Sequence, residues 1–522
     1  MHYKKLESKP IGYFRDAFNR FCRNKSSVVA AFIIMLLVLY AIFVPIFCEN
    51  NYTRALTDTT YTYYTKLPPK SSALAWLGLD GTRVEPISEG NYKKYLAFTE
   101  ETGYVTVLAE YGEPFVSPDQ QAAHDKKIET LRQEVENAKN PALKKQKQKN
   151  LDKALNEVLP LQYMLKTNPY YLMGPTTGMI QLEMTRAQLD AVQKYQDEND
   201  VQIIFPAVNG KEDPSVWYKK DASGNPLKGE DGKIVNDYVI ATGEETIYTS
   251  KRIASDDGTY KYYKISGSET SPIYIVRVCL YNYFEYKYGF EAEFLFGTNT
   301  KGQDIFTRLA AGARFSFVLA IGISSINMLI GAVYGAIQGY YGGTVDLVLD
   351  RISDVLNNVP FMVVTTLFQL HLANKVGPVV ALIFAFVLTG WIGMAARVRM
   401  QFYRFKGQEY ILAARTLGAR DSRLMFKHIF PNSLGTIITG SVLVIPGMIF
   451  SESSMTYLGI VNLESSTMTS VGTMLANGKD QLQYNPHIIL FPAVFVSLLM
   501  ISFNLFGNGL RDAFNPSLRG TE

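Results

Sequence analysis

The chain has 522 residues, 19% of them charged and 47% apolar, and a formal net charge of +4. So small a balance excludes an electrostatic case for a nucleic-acid partner. Three cysteines, Cys22, Cys48 and Cys279, include no CxxC pair, which excludes a disulfide framework or a zinc site as the organising device.

The charge is unevenly spread. Residues 1–25 carry Lys4, Lys5, Lys9, Arg15, Arg20, Arg23 and Lys25 against Glu7 and Asp16. Residues 26–48 carry no charge. As a helix this run is roughly 34 Å long, enough for a ~30 Å hydrocarbon core. A signal peptide competes with that reading because a basic segment precedes the run. The run is longer than a signal's apolar region and lacks a small-residue cleavage site, so it is taken as transmembrane helix 1.

Residues 49–295 form a charged block; counted as far as 314, the segment holds 32 Lys/Arg and 36 Asp/Glu. The pattern predicts a folded α+β domain. Gln121–Asn140 places Ile128, Leu131, Val135 and Ala138 on one helical stripe, and Asn140-Pro141 opens a second helix to about Leu159. The two suit a helical hairpin. Thr185 and Gln188 make a capping box for a helix to about Glu198. Trp217-Tyr218, Gly224-Asn225-Pro226 and Asp256-Asp257-Gly258 mark short strands and turns, and Ser271–Leu280 reads as a strand.

Further apolar runs cover Phe315–Tyr340, Val355–Leu372, Val376–Ala396, Thr436–Phe450 and Ile488–Phe506. Gly331, Gly335 and Gly339 stand four apart, a spacing that lets helices approach closely. Six crossings put both termini on one side, and the basic N-terminus makes that side the cytoplasm. The segment Arg397–Pro431 then also lies inside. It carries Arg397, Arg399, Arg404, Lys406, Arg415, Arg420, Arg423 and Lys427 against Glu409 and Asp421. Residues 49–314 fall outside.

Within that loop Tyr410, Ala413, Ala414 and Leu417 make one apolar stripe, Gly418 ends the helix, and Asp421 caps a second helix ending at Pro431. A narrow stripe with basic flanks suits docking into a partner's groove. Packing against the chain's own spans is the other reading. Asp346, Asp350 and Asp354, with Arg351, read as a solvated cytoplasmic face, and His428 as a packed loop residue. Glu452 is an acid near the end of a span, either functional, at the outer interface or paired within the bundle. The Gly-Lys pairs at 210, 232 and 478 are followed by Glu212, Ile234 and Asp480, so none is a phosphate loop. The chain reads as a non-enzyme that binds no cofactor or metal.

The run Glu409-Tyr410-Ile411-Leu412-Ala413-Ala414-Arg415-Thr416-Leu417-Gly418, continuing to Lys427-His428-Ile429-Phe430-Pro431, resembles the "EAA" loop of ABC-importer permeases. More narrowly it is similar to the C-type permease of oligopeptide and dipeptide importers. Phe296–Asp304 with Arg308 and Gly312-Ala313-Arg314, Glu452 with Tyr457-Leu458-Gly459, and Gly509–Ala513 resemble other segments of that family. The resemblance covers about 20–48 and 290–520. It implies an all-α polytopic fold of six transmembrane helices with a permease core at 296–522; the α+β extracytoplasmic domain inserted between helices 1 and 2 lies outside the resemblance. The resemblance also implies a sister permease, two ATPase subunits that use ATP and magnesium, an extracytoplasmic peptide-binding protein, and a place in the bacterial cytoplasmic membrane. Glu409, Leu412, Ala413, Ala414, Gly418 and Pro431 would form the ATPase-coupling loop (397–433), and Glu452 a pore or structural position. Leu412 departs from the motif's usual glutamate, and Gln303 from a usual arginine. A membrane-anchored receptor or scaffold whose outer domain binds a ligand or partner is the alternative.

Overall fold

The computed structural model describes residues 13–48, 59–138, 140–174, 178–205, 263–268, 271–465 and 468–514. They fall into two compact units, Met1–Thr59 with Asp304–Glu522, and Thr60–Gln303.

The first unit is helical. Among the described residues, five helices are long and apolar enough to cross a membrane: Lys25–Phe47, Ile305–Tyr341, Pro378–Lys406, Asp421–Tyr457 and His487–Phe514. They are numbered one to five below. Helix one starts at Asn24, whose side chain accepts from the Ser27 N–H. It is fastened at Ser27, whose hydroxyl donates to the Leu505 carbonyl at 3.0 Å, and at Tyr40, which donates to the Phe306 carbonyl at 2.6 Å. Gly509 admits Ser27: a Cβ there would lie 2.2 Å from the Ser27 Oγ.

The Gly331-Gly335-Gly339 ridge on helix two meets helix three. A Cβ on Gly335 would stand 2.2 Å from the Ala395 carbonyl oxygen, and one on Gly339 2.7 Å from that of Arg399. These distances lie far inside van der Waals contact, so the glycines set the helix–helix separation. Helix three is interrupted at Trp391, between Pro378–Gly390 and Ile392–Lys406.

The apolar run Val355–Leu372, expected as a spanning segment, is divided between two helices. Gly343–Asn357 and Phe361–His371 are separate helices. Pro360 explains the break, because it disfavours helical geometry at Val359 and supplies no N–H. Eleven residues rise only about 16 Å.

Among its described residues the second unit holds two antiparallel sheets. Strands β1 (Arg83–Ser88), β2 (Val107–Phe115) and β3 (Gln162–Thr167) are ordered β1-β3-β2. In the other, β4 (Met179–Met184), β5 (Ile204–Phe205) and β6 (Tyr263–Ser268) all pair with β7 (Ser271–Cys279). The helices at 118–155 form the expected hairpin, with Lys127 on Glu157 at 2.6 Å and Val135, Leu151 and Ala154 buried. The first runs Pro118–Glu136, three residues earlier than expected, because Ser117 caps the Gln120 N–H ahead of Pro118. Thr185 and Gln188 make both halves of the capping box on Arg186–Asn199. Within this unit Arg277 grips Glu101 through two hydrogen bonds of 2.7 and 3.0 Å, with both side chains 1% exposed. The turns expected at 217–258 lie outside the described residues.

Candidate functional site

The loop between helices three and four begins with a short helix, Glu409–Thr416, entered from Gln408 in extended conformation. Its acid, Glu409, occupies the first turn and its base, Arg415, the last, as the helix dipole favours. Gly418 terminates it at φ +83°, a left-handed conformation that costs a side-chain-bearing residue about 1 kcal/mol or more.

Among the described residues, one side of this helix packs into the chain's own apolar core. Ile411 is fully buried in a cluster with Tyr340, Val398, Phe402, Leu424, Met425 and Ile429, and Ala414 packs against it. The stripe read from the sequence therefore divides. Ala414 turns inward, while Tyr410 (42% exposed), Ala413 and Leu417 (88%) face out, and Leu412 is also exposed. The inward anchor, Ile411, was not singled out by the periodicity.

Two polar ties fasten the loop to the bundle. The Tyr340 hydroxyl, at the end of helix two, donates to Asp421 and accepts from Arg415 Nη2 at 3.2 Å. Arg415 also lies over the Tyr340 ring, 5.7 Å from its centroid. The second tie is from Asn432 Nδ2 to the Tyr410 hydroxyl, 3.1 Å. Asp421 is thus no helix cap. Arg420 holds that position, and the Asp421 carboxylate reaches sideways to a tyrosine 81 residues away.

Pro431 does not end the second helix either. The backbone widens into a π turn over Leu424–Ile429, where the Phe430 N–H reaches the Met425 carbonyl, five residues back. It then continues as Phe430–Val442 with Pro431 in its first turn, where the missing N–H costs little. His428 stands in that π turn rather than in a loop, its carbonyl accepting from Asn432.

Beside the loop, the acids read as a solvated face are in fact partnered. Arg399 binds Asp346 at 2.6 Å and Asp350 at 2.7 Å, and Tyr403 donates to Asp346 at 2.6 Å. Asp346 is 7% exposed. This clamps Gly343–Asn357 to helix three. Only Arg351–Asp354 fits the solvated reading, with both side chains exposed.

Glu452 is buried inside the bundle on helix four. It accepts from Ser316 Oγ on helix two at 3.2 Å and from Thr456 Oγ1 at 3.3 Å. A Cβ on Gly472 would lie 3.0 Å from its Oε1, so the helix Val471–Gly478 closes over it. At the helix-two entrance Asp304 caps the Phe306 and Thr307 N–H groups, and Gln303 pairs with Asn299 at 3.0 Å.

Residues 328–520 match the family described as binding-protein-dependent transport system inner membrane component. Residues 12–69 match the N-terminal TM domain of oligopeptide transport permease C. The oligopeptide transport system permease protein OppC of Bacillus subtilis is 42% identical over 224 residues, 43% of this chain and 72% of the relative. The dipeptide transport system permease protein DppC of the same organism is 38% identical over 229 residues, 44% and 70%. The OppC of Escherichia coli is 35% identical over 230 residues, 44% and 74%. A solved chain of the MetNI methionine ABC transporter is similar at 15% identity and a TM-score of 0.33 over 40% of this chain and 96% of that one, too distant to carry weight. With its loop, its glycine-packed helices and these relatives together, the chain belongs to the oligopeptide and dipeptide permease family of binding-protein-dependent transport systems.

Proposed function

We propose that the chain is one half of a pore that imports peptides across the bacterial cytoplasmic membrane, driven by separate ATPase subunits through the loop at 397–433. The partners are a sister permease, two ATPases and an extracytoplasmic peptide-binding protein, with ATP and magnesium used by the ATPases. The observation that carries this reading is the asymmetry of the Glu409–Thr416 helix. Its inner face is anchored by Ile411 and Arg415, while Tyr410, Ala413 and Leu417 remain an uncovered apolar strip. Burying a Leu417 side chain in a partner's cleft is favourable by roughly 1.5–3 kcal/mol. A rigid helix tied to the ends of helices two, three and four can pass a displacement to the bundle.

Six crossings are part of the proposal. The third is assigned to the broken pair Gly343–Asn357 and Phe361–His371, on which Leu347, Val348 and Val355 are more than half exposed, as a lipid contact requires. Irregular backbone at Pro360 is tolerated where neighbouring helices cover it. Six crossings place the basic segments before helix one and after helix three in the cytoplasm, and the Thr60–Gln303 unit outside. Glu452 holds helix four to helix two and is assigned a structural role.

Co-expression with candidate ATPase and permease partners tests the reading. The chain is expected to co-purify with two ATPase subunits and to support peptide-stimulated ATP hydrolysis. Gly418→Asn, which tolerates the left-handed backbone, should keep the ATPases, whereas Gly418→Val or Ala414→Arg should release them. A chain that binds no ATPase, or keeps it in all three variants, contradicts the reading.

A further inference from the structure

A second cationic feature lies away from the coupling helix, between helices three, four and five. Arg397 and Arg404 on helix three and Arg511 on helix five line one cavity of about 280 Å³, together with Thr436 and Leu443 on helix four and Phe514 on helix five. Among the described residues, no acidic side chain lines it. The contrast with Arg399, two residues from Arg397 on the same helix, is sharp, because Arg399 is neutralised by two aspartates. The fixed interaction of Arg397 in the cavity is donation from Nη1 to the Gly440 carbonyl at 3.2 Å, which aims the guanidinium but leaves its charge unopposed. Three like charges around one cavity at the end of an apolar bundle need a counter-anion.

The surroundings specify an amphiphile. Arg397, Met400 and Arg404 stand at i, i+3 and i+7, one stripe of helix three, and Met400 between the two arginines is 61% exposed. Leu443 and Phe514 add apolar wall beside the guanidiniums. A guanidinium fork matches phosphate oxygens, and exposed Met400 with the walls of Leu443 and Phe514 offers apolar surface for the start of an acyl chain. Arg511 is in the last turn of helix five, so the cavity sits at a helix end, the level of a headgroup. The geometry points to a site for the phosphodiester headgroup of an anionic phospholipid, held by Arg397, Arg404 and Arg511. It does not depend on the coupling reading.

The test is native mass spectrometry of the full chain, extracted in mild detergent and offered phosphatidylglycerol or phosphatidylcholine. The wild-type chain should retain one phosphatidylglycerol in preference to phosphatidylcholine by roughly tenfold or more. Arg511→Gln, at a helix end, should cut that preference several-fold, and Arg397→Gln with Arg404→Gln and Arg511→Gln together should abolish it. Replacement of all three by lysine, which keeps charge but not the fork, should leave a weakened preference, so a loss confined to the glutamine variants separates recognition from misfolding. Arg351→Gln, at an exposed arginine elsewhere, should change nothing. The site is overturned if the triple glutamine variant retains phosphatidylglycerol like the wild type, or if Arg351→Gln loses as much. Equal displacement by millimolar inorganic phosphate would make it a soluble-anion site, and loss of the lipid when a sister permease assembles would make it a protein interface. Either result also overturns the lipid assignment.

Discussion

Tyr340 meets the loop at two residues that lie on either side of Gly418. Its hydroxyl accepts from Arg415 and donates to Asp421, so a single atom joins helix two to both parts of the 397–433 loop. Hydrogen bonds to charged groups are worth about 1.5–3 kcal/mol, enough to decide whether the loop moves with the bundle or apart from it. Tyr340→Phe keeps the ring under Arg415 and removes only the oxygen. It is expected to leave assembly intact while lowering peptide taken up per ATP hydrolysed, measured in proteoliposomes; an unchanged ratio would remove Tyr340 from the coupling path. None of these partnerships was legible in the sequence. Residues 340, 415 and 421, like 346, 350 and 399, are brought together by tertiary packing, and an isolated aspartate reads as a cap or a solvated group. Ile411 was hidden for a related reason: an eight-residue helix with apolar side chains on several faces does not declare which one the core takes.

The elements most clearly written in the sequence are those set by local rules. Asn140-Pro141, Thr185 with Gln188 and the uncharged run at 26–48 each gave a helix with nearly the observed bounds. Prolines misled in both directions. Pro360 divides an apolar run into two separate helices, whereas Pro431 fails to end a helix because a π turn absorbs it. The glycine ridge was legible as a packing surface, though not its partner. With a Cβ on Gly335 only 2.2 Å from the Ala395 oxygen, helices two and three must separate to admit an alanine. Gly335→Ala is therefore expected to destabilise the chain by about 1–3 kcal/mol. Gly322→Ala on the same helix meets no atom within 4 Å and should be neutral or stabilising by up to about 1 kcal/mol. Thermal unfolding of both variants in one detergent checks the pair, and equal midpoints would mean the ridge does not set the spacing.

At the scale of the molecule, two units are interleaved in sequence, with Thr60–Gln303 inserted into a helical unit. The insertion's core offers its own probe. Cys279 is fully buried at the end of β7, and burial pushes its thiol up to about 12. At pH 8 it should resist maleimide in the native chain, while exposed Cys22 reacts, and become reactive only when that unit unfolds. Fast labelling of Cys279 under native conditions would mean that the sheet around β7 is open. In the composition a charged block already stands apart from the apolar runs. The composition did not foretell the buried Glu101–Arg277 pair within the block, since lone charges there read as surface.

A coupling role requires the exposed strip of the Glu409–Thr416 helix and its flanking Leu417 to face the cell interior and to be covered by an ATPase subunit. The direct measurement places a single cysteine at Leu417 in a chain whose Cys22 and Cys48 are serine, and labels it from each side of the membrane. Labelling is predicted from the interior side alone, in inverted vesicles, and is predicted to fall when ATPase subunits are co-assembled. Labelling in intact cells from outside, or reactivity that the ATPases leave unchanged, would contradict the account.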